Sequence, residues 1–353
     1  MKIYTITFHW ATNYGAVLQA YALQKYLTNE KHDVHIINYV PKVFKKSFLK
    51  CLLSNPKKYS KNFKEWNKEK AIESFRKKQL DLTKLYPTHK SLVMEKWGKA
   101  VYICGSDQIW NPFFTLKGEG NVTLSYYLDF VPENAKKISY AASFGVTELN
   151  KVMGKIVANE LKTFSQVSVR ERSAVEMLEK VGITATLVCD PVFLLSSEEW
   201  KTLLMQEECE VPKVFRYILH EPQEENEKIC QYIENALGYD KQKERVLSIE
   251  EWLRTICETE MVVTNSFHAV AFSVIFHRPF VAIIKEGNGM NDRLITLLEF
   301  LGLSDRIVKE CDKEKLDSLM SVSIDWALVD EKREKLKELG KNFLNLDKIA
   351  KEF

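Results

Sequence analysis

Residues 261–284, MVVTNSFHAVAFSVIFHRPFVAII, constrain this chain more than any other stretch. Two short apolar runs, at 261–263 and 280–284, flank residues 267–276, whose apolar side chains recur at helical spacing. The pattern predicts strand, helix, strand, as in an open α/β sheet. The crossing falls on Thr264, Asn265 and Ser266, good turn and N-cap residues. A helix starting at Phe267 then directs its first backbone N–H groups at the sheet's carboxyl edge. Such sheets bind ligands at that edge, and a helix N-terminus favours anions. His268 falls in the first turn, the one titratable side chain before His277. Two readings stay open for it: a histidine that caps or packs, and a titratable group with a chemical task.

A length of 353 residues predicts two domains. With 45% apolar and 28% charged residues the composition is that of a soluble globular protein, and a net charge of +3 argues against a nucleic acid or other bulk polyanion as partner. The seven cysteines show no CxxC and no paired spacing, so reduced thiols and a cytoplasmic location are expected. MKIYTITFHW reads as a strand rather than a leader, and no run approaches the roughly 18 apolar residues of a spanning helix.

From the start, residues 2–8 read as a strand, Thr12, Asn13, Tyr14 and Gly15 as a turn, and Val17, Ala20, Tyr21, Gln24 and Leu27 as a helix face. This is a Rossmann-like opening without GxGxxG, so a dinucleotide site is unsupported. Gly15 and Ala16 permit either close approach of a ligand or close helix packing. Residues 34–39 are a second strand. Between 41 and 78, thirteen Lys or Arg stand against three Glu, with Phe44, Phe48, Phe63, Trp66, Ile72 and Phe75 interleaved. Such a segment either lies on an anionic membrane surface or forms a solvated helical insertion whose aromatics pack on the domain. Its helical regularity and lack of Gly argue against a single-strand nucleic-acid platform.

Residues 100–104 resume the sheet and run into Gly105, Ser106, Asp107, Gln108, Ile109, Trp110 and Asn111. Polar and aromatic groups so dense after a strand are typical of a site, though Asp107 also suits an N-cap. A strand at 137–142 ends in Ser143, Phe144 and Gly145. A helix at 152–164, a strand at 166–170, a helix at 173–181 and a strand at 186–189 follow. Arg170 ends its strand at the same edge, placed to pair with Glu171 or Asp190, or to hold carboxylate or phosphate. The second half repeats the rhythm: strand 213–219, helix 224–237, strand 245–247, helix 249–258, the central stretch, then helix 291–301. Arg293 lies in that last helix's first turn, a position that suits an anion site or an exposed side chain. The expected organisation is an N-terminal domain 1–195 with a basic helical insertion at 41–80 and a C-terminal domain 196–325. Residues 326–353 form a helix docked back by Leu328, Leu336, Leu339, Phe343 and Leu346. The seven histidines supply no metal-ligand spacing.

TNYGAVLQAYAL at 12–23, ICGSDQIWNP at 103–112, SYAASFG at 139–145, VSVRERSAVEML at 167–178, CDPVFLL at 189–195 and TNSFHAVAFSVIFHRPFVAI at 264–283 together resemble the polysaccharide pyruvyl transferase family. The likeness is spread over most of the chain. It implies an α/β, GT-B-like fold, with two Rossmann-type domains whose parallel sheets face a central cleft. It also implies phosphoenolpyruvate as donor and a sugar of a growing surface polysaccharide as acceptor. The family's catalytic histidine falls on His268, and the arginine of its SVRE motif, tied to donor binding, on Arg170. Many members carry arginine two residues before that histidine, where this chain has Ser266. Donor anion contacts are therefore expected from Arg293 and Lys285, beside Asn265 and Ser266 at the helix start.

Ketal transfer from an enol phosphate requires a proton on the methylene carbon, attack by two sugar hydroxyls in turn, and departure of phosphate. A histidine suits the acid step, and cations with a helix end stabilise carboxylate and phosphate without a metal or further cofactor. Asp107 is the candidate acceptor of a hydroxyl proton, with Trp110 stacking on the sugar and Asn13, Tyr14, Gly15, Gln108 and Ser143 completing the acceptor side. The expected partners are phosphoenolpyruvate, a lipid-linked saccharide and, through the basic insertion, the inner membrane leaflet. A GT-B glycosyltransferase using a nucleotide sugar and a non-catalytic sugar-binding relative are the alternatives.

Overall fold

The computed structural model describes residues 1–41, 59–117, 124–204, 210–219, 224–238, 246–285 and 289–346. Residues 42–58 of the basic insertion, Arg245 and residues 347–353 lie outside them. The chain divides into two compact units, Met1–Leu194 with Lys337–Phe353, and Leu195–Leu336.

In the first unit β1 (Lys2–Ile6), β2 (Asp33–Ile36), β3 (Val101–Cys104) and β4 (Lys136–Ser139) form a sheet ordered β2-β1-β3-β4, parallel throughout. Ile3 of β1 is registered against Val34 on one side and Val101 on the other. Parallel bridges from Ile138 to Gln166 and from Ala142 to Val169 carry the arrangement on to β5 (Ser168–Val169) and β6 (Thr186–Leu187). All four residues of β3 are buried, as a central parallel strand covered on both faces requires. The Tyr14–Asn29 helix starts on Asn13, whose side chain accepts from the Ala16 N–H, and is buried from Tyr14 through Leu23.

The second unit holds β7 (Val214–Tyr217), β8 (Met261–Thr264), β9 (Phe280–Ile283) and β10 (Ile307–Val308), ordered β10-β9-β8-β7 and again parallel. β8 and β9 are buried along their whole length, and so are all nine residues of the Phe267–Ile275 helix between them. A helix that is apolar on every side belongs in an interior, and this one is the second unit's centre.

Two expectations are corrected. The strand expected at 245–247 is not formed at residues 246 and 247, because the chain there enters a capping box. Ser248 accepts from the Glu251 N–H and Glu251 accepts from the Ser248 N–H, which starts the Ile249–Glu258 helix instead. The terminal helix spans Trp326–Phe343, and Leu328 and Leu339, expected to dock it, are exposed. Leu336 and Leu346 are buried as expected, and Val329 and Leu344 are buried in place of the other two leucines. Val329, Leu336 and Gly340 follow at steps of seven and four, which keeps them on one stripe, whereas Leu328 and Leu339 fall off it. Among the described residues no helix is long and apolar enough to cross a membrane.

Candidate functional site

After β3 the backbone turns sharply at Gly105, whose φ is 122°. A Cβ there would stand 2.1 Å from the Tyr140 carbonyl oxygen, so only glycine fits. The turn delivers Ser106 and Asp107 to the carboxyl edge, where Arg170 arrives from β5 and Asp190 from beyond β6. Arg170 donates from Nη1 to Asp190 at 2.6 Å and from Nη2 to Asp107 at 3.1 Å. Ser106 Oγ lies 3.0 Å from Asp190 Oδ2 and from the Ala141 carbonyl oxygen. The network continues inward through Gln19, fully buried, which accepts from the Ser106 N–H and donates to Thr7 Oγ1 and the Ala16 carbonyl.

Arg170 was expected at the donor site. Its side chain is 1% exposed, and both terminal nitrogens are engaged by carboxylates. Burial opposes its charge, yet Asp190, Asp107 and Glu171 together hold its pKa above the ordinary value. Three carboxyl groups around one guanidinium give this locale a formal excess of negative charge. Of the alternatives the sequence left open, the pairing with Asp190 is the one formed.

Trp110 is likewise a core residue, not a sugar platform. It is fully buried, its ring is stacked on Tyr127 at 5.5 Å and its Nε1 donates to the Tyr126 carbonyl. The other acceptor-side candidates gather after adjacent strands. Asp107 and Gln108 follow β3, and Ser143 follows β4, its N–H donating to the Asp107 carbonyl at 3.0 Å. Ser143 Oγ is buried with no hydrogen-bond partner among the described residues. Gln108 accepts from Asn111 at 2.9 Å and is packed so closely on Gly145 that a Cβ there would meet it at 2.2 Å. Asn13 is occupied as the N-cap, while Tyr14 and Gly15 are buried in the first helical turn.

The loop after β1 is held by the Tyr59–Gln79 helix. Buried Arg76 donates to the carbonyls of His9, Trp10 and Ala11 at 2.8–2.9 Å and to Glu69 at 2.6 Å, and Glu69 accepts from Thr12 at 2.5 Å. His9 stands 3.1 Å from Asn38 and 3.2 Å from the Thr7 carbonyl, and burial lowers its pKa to about 4, so the ring is neutral in this setting. Gln19, Ser106, Asp190, His9 and Arg76 were not among the site residues expected from sequence. Two signals were available: Asp190 as a possible partner of Arg170, and Gln19, an amide amid apolar neighbours on its helix.

In the second unit the expected donor residues collect at one edge of two adjacent parallel strands. Asn265, Ser266 and His268 follow β8, while Lys285 and Arg293 follow β9. Ser266 Oγ accepts from the Ala269 N–H at 3.4 Å and caps the helix. His268 is buried in the first turn, with its ring edge-on to Phe267. Lys285 is exposed, and Arg293 is half-buried as the second residue of the Asp292–Leu301 helix. Asn265 is corrected from ligand to strut: its Oδ1 accepts from the Leu219 N–H at 2.7 Å and its Nδ2 donates to the Leu219 carbonyl at 3.1 Å. Both ends of the amide are therefore used in joining the ends of β7 and β8. Among the described residues no group of three or more His, Cys, Asp or Glu is arranged to hold a metal ion.

The sequence profile described as polysaccharide pyruvyl transferase matches residues 13–284, a span that includes Asp107, Arg170, Asp190 and His268 but not His9, Lys285 or Arg293. The chain belongs to the polysaccharide pyruvyl transferase family. No curated protein matches it in sequence. Among solved structures this pyruvyl transferase family member is similar to UDP-N-acetylglucosamine 2-epimerase from Rickettsia bellii, with a TM-score of 0.51, 9% identity and coverage of 98% of this chain and 95% of that one. It is also similar to the spinosyn forosaminyltransferase SpnP, with a TM-score of 0.51, 9% identity and 99% coverage of each chain. At such identities the likeness concerns the fold, which is GT-B-like, with two four-stranded parallel sheets.

Proposed function

We propose that the protein is a pyruvyltransferase that moves the pyruvate unit of phosphoenolpyruvate onto two hydroxyls of a sugar in a surface polysaccharide or its lipid-linked precursor. The products are a cyclic ketal and inorganic phosphate. The observation that carries this reading is His268, a buried imidazole in the first turn of a central helix, inside the span the family profile matches. In this reading His268 delivers a proton to the methylene carbon of the enol, which leaves an oxocarbenium-like centre for the first sugar hydroxyl to attack. The second hydroxyl then displaces phosphate. Lys285 and Arg293, after the neighbouring strand, supply positive charge for carboxylate and phosphate, together with the helix start at Ser266. Asp107, oriented by Arg170, takes a hydroxyl proton. The transfer involves no redox change, and its stoichiometry requires phosphoenolpyruvate as co-substrate and no other cofactor. Such a donor implies a cytoplasmic reaction.

The test is phosphate release from phosphoenolpyruvate with a panel of glycosyl-lipid acceptors. His268→Gln is expected to lower the rate by a hundredfold or more, about the contribution of general acid catalysis, with an unchanged melting temperature. A fully active variant removes the mechanism. Thermal stabilisation by phosphoenolpyruvate and not by a nucleoside diphosphate is expected, and the reverse result would support nucleotide-sugar transfer instead.

A further inference from the structure

The Tyr59–Gln79 helix divides its charges between two faces. Inward, Ile72 and Phe75 are fully buried, Arg76 is spent on three carbonyls, and Glu69 and Glu73 are engaged by Arg76 at 2.6 and 3.1 Å. Outward, Lys64, Lys70, Lys77 and Lys78 are exposed, Lys70 lies over the Trp66 ring at 3.7 Å, and Phe63 is 55% exposed. Phe63, Lys70, Lys77 and Lys78 fall within one third of the helical circumference, at 100° per residue. Glu73 also reaches outward to Lys77 at 3.4 Å, but Glu69 is turned to Arg76 and Thr12, so the outer face with Lys64, Lys70, Lys77 and Lys78 keeps more positive than negative charge beside an exposed aromatic ring. The helix is also rigidly mounted, through Arg76 and Glu69, on the loop that leads to Asn13.

We propose that this face docks on an anionic lipid surface, with the lysines at the headgroup level and Phe63 entering the interface. Charge complementarity carries the choice of occupant. A lysine near an anionic leaflet gains attraction that falls off within a Debye length, and an exposed aromatic gains from the headgroup boundary. The proposal does not depend on the chemistry of the reaction.

The full chain is mixed with vesicles of phosphatidylcholine alone and with vesicles containing about 30 mol% phosphatidylglycerol, the anionic lipid that supplies the surface potential. Sedimentation with the anionic vesicles only, reversed by high salt, is expected. Neutralising three lysines in Lys70→Gln, Lys77→Gln, Lys78→Gln should weaken partitioning on the order of a hundredfold, at about fivefold per lysine. Phe63→Ser alone should weaken it severalfold while salt dependence persists. Melting curves establish that each variant is folded, since none of these side chains belongs to the buried face. Equal sedimentation with neutral vesicles, wild-type partitioning of the triple variant, or retention by duplex RNA without retention by vesicles would overturn the proposal. Phosphate release with a soluble acceptor reports on the reaction separately, so the two readings fail independently.

Discussion

Arg170 shows what a single side chain does when three carboxyl groups surround it. Its value lies in the pairing with Asp190, both side chains being essentially inaccessible to water. Removing one member of such a pair leaves an uncompensated buried charge. Asp190→Ala should therefore destabilise the first unit by about 3–5 kcal/mol in denaturant melts, and Asp190→Asn by less. His9 makes a second prediction, with a definite sign. Its pKa is about 4 when folded, against an ordinary value of 6.5, so on acidification the unfolded chain takes up the proton first. The stabilisation is present above about pH 6.5 and is lost as pH falls toward 4, amounting to about 3 kcal/mol. Melts of wild type and His9→Gln across that window should differ by a slope of up to one proton, and equal slopes would contradict the burial argument. Residue types at this edge were legible from sequence, since Asp107, Ser143 and Arg170 do follow parallel strands. Asp190 was legible as a partner of Arg170, but Gln19 was not, because it reaches the cluster only through tertiary contacts. Trp110 misled because an indole beside polar residues reads the same whether it faces solvent or Tyr127.

At the level of elements, parallel strands announce themselves as unbroken apolar runs, which is why β3, β8 and β9 were all visible beforehand. Short strands such as β5 and β6 were overextended, since nothing in the sequence says where a bridge stops pairing. The Tyr59–Gln79 helix illustrates a different limit. Its positive charge was plain, but which cation turned inward was decided by carbonyls contributed by residues 9–11. Arg76→Ala should release that loop, costing about 2–4 kcal/mol from the loss of charge-assisted hydrogen bonds, and should accelerate hydrogen exchange at residues 9–13. Arg76→Lys should recover only part, because an ammonium lacks the planar fork that serves several carbonyls at once. Unchanged exchange in Arg76→Ala would mean that the helix does not order the loop.

Across the whole molecule, the chain leaves the first unit at Leu194 and re-enters it at Lys337, within one continuous helix, Trp326–Phe343. Gly340 is the closest point of that return: a Cβ would come within 2.5 Å of Tyr140 Oη and 2.8 Å of Cys189 Sγ. Gly340→Ala should destabilise the first unit by about 1–3 kcal/mol, the usual cost of overpacking, read as a lower first transition in calorimetry. The sequence announced the helix by its periodicity but not its stripe, because leucines are plentiful on both sides of it. The two crossings have a consequence for synthesis. The first unit's closing segment is made only after the 142 residues from 195 to 336. At about 5–20 residues per second this interval is on the order of ten seconds, during which the nascent N-terminal fold waits with Tyr140 and Cys189 uncovered.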